Sequence, residues 1–536
     1  MASGHRRWAE KAVWPAPARL IALALLAFCL PDIAQPVLAA RPPRAAAVAA
    51  SGPVPGSAAL EAALKAHVET LASDDFGGRE PGTDGETKTL RYLARQWFDI
   101  GLVSGTNDPG NAWFAPVELV ERMPRASRAV FFRGHRRIPV GADGMLVVTS
   151  GLRSLIEDAP LLLLGRDTNP DTARTELAGR IAVIFDSQAA PGSEGGNPDD
   201  RAGRLLDAGA AAVITVLDGT RTLDAVKERR QRPGYALAGE KLGGDLMAFA
   251  TPALADALFD AGGVGRMAAL KAASDQPGFV PRAISVTATL EATGSETRIH
   301  THNLIGKLEG RRHDLGAVVL MAHWDHFGRC ADPPAEHLIC NGAVDNASGL
   351  AVITEAARML AAGRQNDRDI YFVATTGEEL GLLGALAFAE NPPLPLDAIE
   401  AALNVDSTGL VPAGLPVSVI GAGMTDLDDG IAQVLKAMRR KAVAGNAANA
   451  FVRRQDGWVL IQHDVPAVMV SSAYSDQARL DAYMDERYHR PTDVPARVEY
   501  GGMAEDVLLQ VELARFFADI RRFPGPPVPR SNGPGR

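Results

Sequence analysis

The sequence predicts an α/β fold in which a mixed, largely parallel sheet is flanked by helices. Short apolar runs at 317–322 and 370–374 have the composition of central strands covered on both faces, and 401–405 is a weaker third run. Residues 350–360, between the first two runs, have helical spacing. The order strand, helix, strand favours parallel neighbours, whose carboxyl ends meet at one edge of the sheet. Open α/β sheets build their sites at that edge.

Acidic and imidazole side chains lie at the end of each apolar run and before the intervening helix. Imidazole nitrogen and carboxylate oxygen are ligands for divalent cations, and a hydrolytic zinc site keeps three protein ligands and one open position for water. The sequence therefore predicts a metal-dependent hydrolase site. Its candidate residues in this stretch are His323, Asp325, Asp345, Glu378, Glu379 and Asp406.

Two adjacent acids, Glu378 and Glu379, can serve two different roles, metal binding and proton transfer. Neighbouring residues at a strand end or helix start point in different directions, so one can face a metal and the other a water molecule. Two metals about 3.5–4 Å apart can share one carboxylate and one water. A carboxylate that binds no metal can then take the proton of that water.

Five ordered motifs carry a resemblance to a known family. They are H-W-D at 323–325, V-D-N-A-S-G at 344–349, G-E-E-L-G-L-L-G at 377–384, N-V-D-S-T-G at 404–409 and Y-H-R-P-T-D at 488–493. Together they resemble the M28 family of zinc peptidases, which includes bacterial aminopeptidases and related carboxypeptidases. The resemblance covers roughly residues 60–125 and 285–525 and implies the zinc-dependent exopeptidase fold.

The resemblance implies two zinc ions per chain, and each motif would supply one metal-binding side chain. His323 and Asp406 would hold one ion, and Glu379 and His489 the other. Asp345 would bridge the two ions. The corresponding substrates are peptides or proteins.

Three further roles follow from the same resemblance. Glu378 would be the general base. Asp325 would orient His323 as a carboxylate behind a metal ligand. Tyr488 matches a position where some members use a hydroxyl to steady the tetrahedral intermediate.

Each motif alone also has a structural explanation, such as a helix N-cap for Asp345. The joint occurrence of the motifs in the correct order favours the metal site. His326, Asp456 and His463 lie near motifs and receive no ligand role. The two histidines at 300–302 fit no motif position and are expected at a strand edge.

The sequence favours an aminopeptidase, and three alternative functions remain. An M28-type carboxypeptidase would use the same site on the other end of a peptide. A glutaminyl cyclase-like enzyme uses one zinc, which the five-ligand set opposes. A receptor-like binding protein would be expected to lack Glu378 or several ligands, and all are present. The end of the peptide attacked and the oligomeric state are not fixed by the sequence.

The first residues have the pattern of a secretory signal peptide. A basic start precedes an apolar run at 20–30, and residues 1–39 end in small side chains. The run is too short to span a membrane, although an uncleaved signal anchor is the alternative. Phe28 before Cys29 argues against a lipoprotein site. The prediction is a periplasmic or secreted enzyme, with an Ala- and Pro-rich linker at 40–59.

The charge of the chain excludes some partners. Removal of residues 1–39 changes the formal net charge from -9 to about -11, because four basic and two acidic side chains leave. An acidic chain without a basic run argues against nucleic acid, and against stable membrane association after cleavage.

The two remaining cysteines, Cys330 and Cys340, flank a short loop between two motifs. Export to an oxidising compartment makes a disulfide plausible. The alternatives are a reduced pair or an additional metal site with Asp332 and His337.

Residues 126–285 differ from the flanking segments and carry no zinc motif. The segments 179–184 and 207–216 resemble a protease-associated domain, a module inserted into some M28 enzymes. The predicted organisation is a peptidase domain at 60–125 and 286–525, this insert, and a Pro- and Gly-rich tail at 526–536. Arg79 lies in a turn-rich loop similar to the amino-terminal part of secreted M28 enzymes, and a structural role is expected for it.

Overall fold

The framework of the protein is a large sheet. The computed structural model describes residues 58–525, apart from 111, 142, 171, 187–197, 219–220 and 240–244. In this range the helices are α1 (Ala58–Leu71), α2 (Asp84–Ile100), α3 (Arg174–Leu177), α4 (Pro198–Asp207), α5 (Leu223–Arg230), α6 (Pro252–Gly262), α7 (Met267–Ser274), α8 (Gly349–Ala362), α9 (Leu383–Glu390), α10 (Asp428–Ala437), α11 (Gly457–Gln462), α12 (Gln477–Glu486) and α13 (Tyr500–Ala518). The strands are β1 (Val103–Ser104), β2 (Phe114–Arg133), β3 (Arg136–Ile138), β4 (Met145–Thr149), β5 (Arg153–Leu163), β6 (Ile181–Phe185), β7 (Ala212–Val216), β8 (Gly234–Leu237), β9 (Leu246–Ala250), β10 (Arg282–Leu308), β11 (Ala317–His323), β12 (Asp369–Thr375), β13 (Ile399–Asn404), β14 (Ser418–Ile420) and β15 (Ala467–Ser471).

The strands pair in the order β14, β15, β13, β11, β12, β10, β5, β6, β7, β9 and β4. One parallel group contains β12, β11, β13 and β15, and a second contains β5, β6, β7 and β9. The long strand β10 joins the groups, because it pairs antiparallel with β12 at one end and with β5 at the other. The predicted α/β fold with a mixed sheet flanked by helices is confirmed.

Helices cover both faces of the first parallel group. On β11, Val318 and Leu320 pack with side chains of α1, α8 and α13, whereas Val319 and Met321 pack with side chains of α9 and α11. Successive strand side chains point to opposite faces, so a strand buried on both sides must be apolar throughout. Each fully buried aliphatic side chain contributes about 1.5–3 kcal/mol, which explains the continuous apolar runs.

The predicted elements around the site are present with small shifts at their ends. The three apolar runs form β11, β12 and β13, and α8 lies between the first two. Helix α9 begins at Leu383, because Gly381 and Leu382 directly before it have φ angles of 119° and 60° and form a turn.

Residues 126–285 contain β3 to β9 and α3 to α7 and have an apolar cluster of their own. Both predicted boundaries of this region fall inside strands, residue 126 in β2 and residue 285 in β10. The long antiparallel pairing of β2 with β10 therefore continues from one region into the other. The division into a peptidase domain and a protease-associated insert stays a prediction.

Several sequence features lie outside the described residues. They are the predicted signal peptide at 1–39, residues 40–57 of the linker and the tail at 526–536. Within the part of the chain that the structure describes, no helix is both long enough and apolar enough to cross a membrane.

The predicted disulfide between Cys330 and Cys340 is confirmed. It closes the loop between two site motifs. The backbone N–H of Cys340 donates to the carbonyl of Gly328, and the carbonyl of Cys340 lies 3.1 Å from Nδ1 of His326. The crosslink therefore restrains the segment that joins His323 to Asp345.

We expect the double substitution Cys330→Ser and Cys340→Ser to lower the free energy of unfolding by about 2–3 kcal/mol, because a loop of this length then regains its freedom in the unfolded chain. Denaturant unfolding of the variant and of wild-type protein, each with and without reductant, measures the effect. The reductant should change only the wild type. Two reactive thiols in denatured, unreduced wild-type protein would contradict the disulfide.

Candidate metal centre

The predicted site residues meet at the carboxyl edge of the first parallel group. His323 ends β11 and is in register with Thr375, the last residue of β12. Met321 of β11 is in register with Asn404, which ends β13 two residues before Asp406. The strand register thus brings three separate segments to one place, as the sequence predicted.

One cluster forms around the imidazole of His323. Its Nε2 atom lies 3.1 Å from Oδ1 of Asp345 and 3.4 Å from Oδ1 of Asp406. All three side chains are buried, and their ligand atoms are close enough to hold one cation.

A second cluster forms around the imidazole of His489. Its Nε2 atom lies 3.0 Å from Oε2 of Glu379 and 3.5 Å from Oδ2 of Asp345. Asp345 therefore turns one carboxylate oxygen toward each histidine. A carboxylate shared between two cations requires this arrangement.

Glu378 lies beside the first cluster, with Oε2 3.9 Å from Nε2 of His323. Burial raises the pKa of the Glu378 carboxyl well above its usual range, and repulsion from Glu379 and Asp406 adds to the rise. Burial, together with the charge of Asp345, raises the pKa of Glu379 to about 8. The site therefore concentrates more negative charge than its own residues neutralise.

The polar atoms of the site fit a divalent cation. Nε2 of His323, His326 and His489 and Oε1 of Glu379 are buried and have no hydrogen-bond partner among the described residues. Buried polar atoms are normally paired, so this set of unpaired atoms needs an explanation. Imidazole nitrogen and carboxylate oxygen are the donor types that zinc takes in hydrolytic sites.

His326, to which the sequence gave no ligand role, lies at the second cluster. Its Nδ1 faces the carbonyl of Cys340, so that nitrogen carries the proton and Nε2 keeps a lone pair. Nε2 lies 3.5 Å from Oε1 of Glu379. Burial lowers the pKa of His326 to about 3, so the ring is neutral. The motif H-W-D-H contained this signal, since it places two histidines three residues apart.

Asp325 contacts both His323 and the two glutamates. The backbone oxygen of Asp325 lies 3.1 Å from Nδ1 of His323, whereas its carboxylate lies 3.8 Å away. The carboxylate oxygens instead accept the backbone N–H groups of Glu378 and Glu379, at 3.1 and 3.3 Å. Asp325 therefore fixes the backbone of the glutamate pair as well as the imidazole.

The turn that carries Asp345 is held from behind by Asp493. One carboxylate oxygen of Asp493 accepts the backbone N–H groups of Val344 and Asp345, at 2.9 and 3.1 Å. The other accepts from the guanidinium of Arg487 at 2.7 Å. The Y-H-R-P-T-D motif thus supplies both His489 and the support for Asp345.

Arg79 has the structural role that the sequence suggested. It is fully buried, and among the described residues its guanidinium donates only to backbone carbonyls. The accepting carbonyls are those of Leu71, Trp324, Asn341, Gly342 and Asp345.

Tyr488 lies against the site, with its ring stacked on that of His489 at a centroid distance of 3.6 Å. Burial raises the pKa of the Tyr488 hydroxyl, so it stays protonated as a hydrogen-bond donor. The ring also borders a small cavity beside Asp345, Glu378 and Asp406. The other side chains that line this cavity are Ser407, Phe451, Arg454, Gln455, Met469, Tyr474, Leu480, Tyr483 and Met484.

The remaining flagged residues have different positions. Asp456 is buried and accepts a hydrogen bond from the hydroxyl of Thr375 at the end of β12, and burial raises its pKa to about 7. His463 bonds the carbonyl of Val459 at the end of α11. The histidines at 300–302 lie in β10, where each faces a glutamate, as expected for a strand edge.

Parts of this chain are similar in sequence to known proteins. Residues 303–511 match the model of Peptidase family M28. The Alkaline phosphatase isozyme conversion protein of Escherichia coli (strain K12) is 36% identical over 100 residues, which are 17% of this chain and 29% of that protein. The Vacuolar membrane protease of Yarrowia lipolytica is 32% identical over 118 residues, 22% of this chain and 11% of that protein. The matched segments therefore span less than a third of these curated relatives.

A solved structure agrees over most of the fold. The aminopeptidase from Aneurinibacillus sp. strain AM-1 superposes with a TM-score of 0.52 at 18% identity and covers 85% of this chain and 93% of its own. Over residues 303–511 the matched family is one of peptidases, a class of hydrolases, and the superposition shows a shared fold over most of the chain. More particularly, these residues are similar to peptidase family M28.

We expect His489→Ala to lose about one zinc per chain, because the second cluster loses an assigned ligand. His326 also lies close enough to Asp345 and Glu379 to share a cation with them, but His326→Ala should keep its zinc content because His489, Glu379 and Asp345 all remain. Metal analysis of both variants after dialysis measures this. His463→Ala is the matched control, since that histidine lies away from both clusters. Loss of zinc from His326→Ala with retention in His489→Ala would reverse the assignment.

Proposed function

We propose that this protein is an exported aminopeptidase with two zinc ions at the edge of its sheet. The observation that carries the proposal is the position of Asp345, which presents one oxygen to His323 and the other to His489. A single bridging carboxylate between two imidazoles is the geometry that a two-metal hydrolase needs.

The ligand assignment follows the two clusters. His323 and Asp406 would hold one ion, Glu379 and His489 the other, and Asp345 both. Zinc at these positions would lower the pKa of a water molecule and polarise the peptide carbonyl.

Side chains of the protein would accept the proton of the attacking water and deliver it to the leaving group. Glu378 would accept a proton from the attacking water through its carboxylate and later deliver it to the leaving amine. Asp325 would keep Glu378 in place through the backbone N–H of that residue, which it already binds. The hydroxyl of Tyr488 would donate a hydrogen bond to the carbonyl oxygen as that oxygen gains charge.

The small cavity beside Glu378 supports removal of single terminal residues. Apolar and aromatic side chains line part of it, including Phe451, Leu480 and Met484, and the buried Tyr483 also borders it. Such a cavity accepts one side chain rather than a continuing peptide. The aminopeptidase from Aneurinibacillus has the same fold, which favours the amino terminus over the carboxyl terminus.

The region 126–285 would form one wall of the substrate cleft. Leu237 of β8 packs in one cluster with Leu119 of β2 and Leu383 of α9, directly after the glutamate pair. Export is proposed from the signal-like pattern of residues 1–39 and agrees with the disulfide between Cys330 and Cys340.

We expect Glu378→Gln to keep its zinc and lose at least a hundredfold in kcat, because general-base catalysis contributes 10²–10⁴-fold. Steady-state kinetics with a peptide anilide and metal analysis of the same preparation measure both properties. Glu390→Gln, on the exposed end of α9, is the matched control. Near-normal turnover of Glu378→Gln would remove this residue from the mechanism.

A panel of peptides with free or blocked ends tests the direction of cleavage. An aminopeptidase should release residues only from peptides with a free amino terminus and lose activity on chelation. Cleavage of amino-blocked peptides with a free carboxyl end would establish a carboxypeptidase instead. Cyclisation of amino-terminal glutamine without hydrolysis would establish a glutaminyl cyclase, and absence of turnover in zinc-loaded protein would favour a binding protein.

A further inference from the structure

A second cavity lies at the opposite edge of the sheet from the metal centre. Its volume is about 730 Å³, and it is formed where α8 and α13 end, next to the start of β12. The seven-residue strand β11 runs from this edge to His323, so about 20 Å separates the two places. The cavity is therefore distinct from the candidate active site.

Arginine dominates the lining of this cavity, although the whole chain is acidic. Two aspartates, Asp367 and Asp519, are the acidic residues among its lining, and the formal net charge of the protein is -9. A local excess of positive charge in an acidic protein attracts anions to one place. The lining arginines are Arg311, Arg364, Arg515, Arg521 and Arg522.

The carboxylates of the two aspartates accept hydrogen bonds from backbone N–H groups. Oδ1 of Asp519 accepts the backbone N–H of Arg521 at 2.9 Å, and Oδ2 of Asp367 accepts that of Ile520 at 3.4 Å. Asp367 also pairs with the guanidinium of Arg311. These acids therefore shape the loop after α13, and Asp367 offsets part of the positive charge of Arg311 and Arg521.

Arginines near helix ends often serve only to bind the last carbonyl groups, but another residue does so here. The buried Arg368 donates to the carbonyls of Leu315, Phe517 and Phe523. Arg364 and Arg521, in contrast, are exposed and have no acidic side chain within 4.0 Å among the described residues. Their guanidinium groups are available to a ligand.

The other arginines are held in place around this pair. Arg515 pairs with Glu512 at 2.9 Å, and the guanidinium of Arg522 lies 4.4 Å from the centre of the Phe516 ring. Such contacts reduce the conformational freedom that binding would otherwise remove. The planar guanidinium presents paired N–H groups that match the oxygens of a phosphate.

We propose that this arginine-lined cavity is a binding site for a phosphate group carried by a soluble phosphate ester or by a lipid headgroup. The site is independent of the metal centre and of the proposed peptidase activity. Arg364 and Arg521 supply the principal contacts.

Titration of zinc-loaded, full-length protein with inorganic phosphate and glycerol 3-phosphate tests the site, and vesicles of phosphatidylcholine with and without phosphatidic acid test the lipid source. We expect the double variant Arg364→Ala and Arg521→Ala to bind at least tenfold more weakly than wild type. The double variant Arg95→Ala and Arg133→Ala removes the same charge elsewhere and should bind like wild type. Any binding at the zinc ions is common to all three proteins.

The outcomes separate the two sources of phosphate. Loss of binding to soluble esters identifies a free ligand, and loss of binding to vesicles alone identifies a headgroup. Equal binding of both probes by wild type and the Arg364 and Arg521 variant would overturn the proposal. Protection of these two arginines from phenylglyoxal by the bound probe, located by mass spectrometry, provides a second readout that does not depend on the variants.

Discussion

The crowding of buried carboxylates at the ends of parallel strands is the constraint on which the rest of the structure depends. Asp345 and Asp406 are buried, and the side chains of Glu378 and Glu379 beside them are at most 10% exposed. Burial of uncompensated charge costs several kcal/mol per ion. The imidazoles of His323 and His489 offset part of that cost, and divalent cations would offset the remainder. The apolar strands and helices behind the site provide the stability that keeps these charges together.

Two buried ionic side chains hold the backbone around these carboxylates in place. Arg79 binds five carbonyl groups from three segments, and Asp493 binds the backbone of the turn that carries Asp345. Both make the position of Asp345 depend on distant parts of the chain, the loop after α1 and the motif that contains His489.

Much of the site could be predicted because its information is local in the sequence. The apolar runs of β11 and β12 and the polar residues directly after them required no tertiary knowledge, and the resemblance carried by the ordered motifs implied that Asp345 and His489 are partners. The carbonyl contacts of Arg79 could not be predicted, since they join residues 8 to 266 positions apart. The position of His326 at the second cluster could not be predicted either, because it depends on the path of the loop that the disulfide closes. The length of β2 and β10 was also missed, because their exposed parts have no strong apolar alternation.

The long strand β10 has a mechanical consequence. One end belongs to the sheet that carries the metal centre and the other to the sheet of residues 126–285. A hinge between these regions would have to disturb the backbone hydrogen bonds with β2, which continue on both sides of a bulge between Ala292 and Gly294. The proposed wall of the cleft would thus be coupled to its floor through this pairing, and selection among substrates would come from the fit to a preformed shape rather than from closure around a bound peptide.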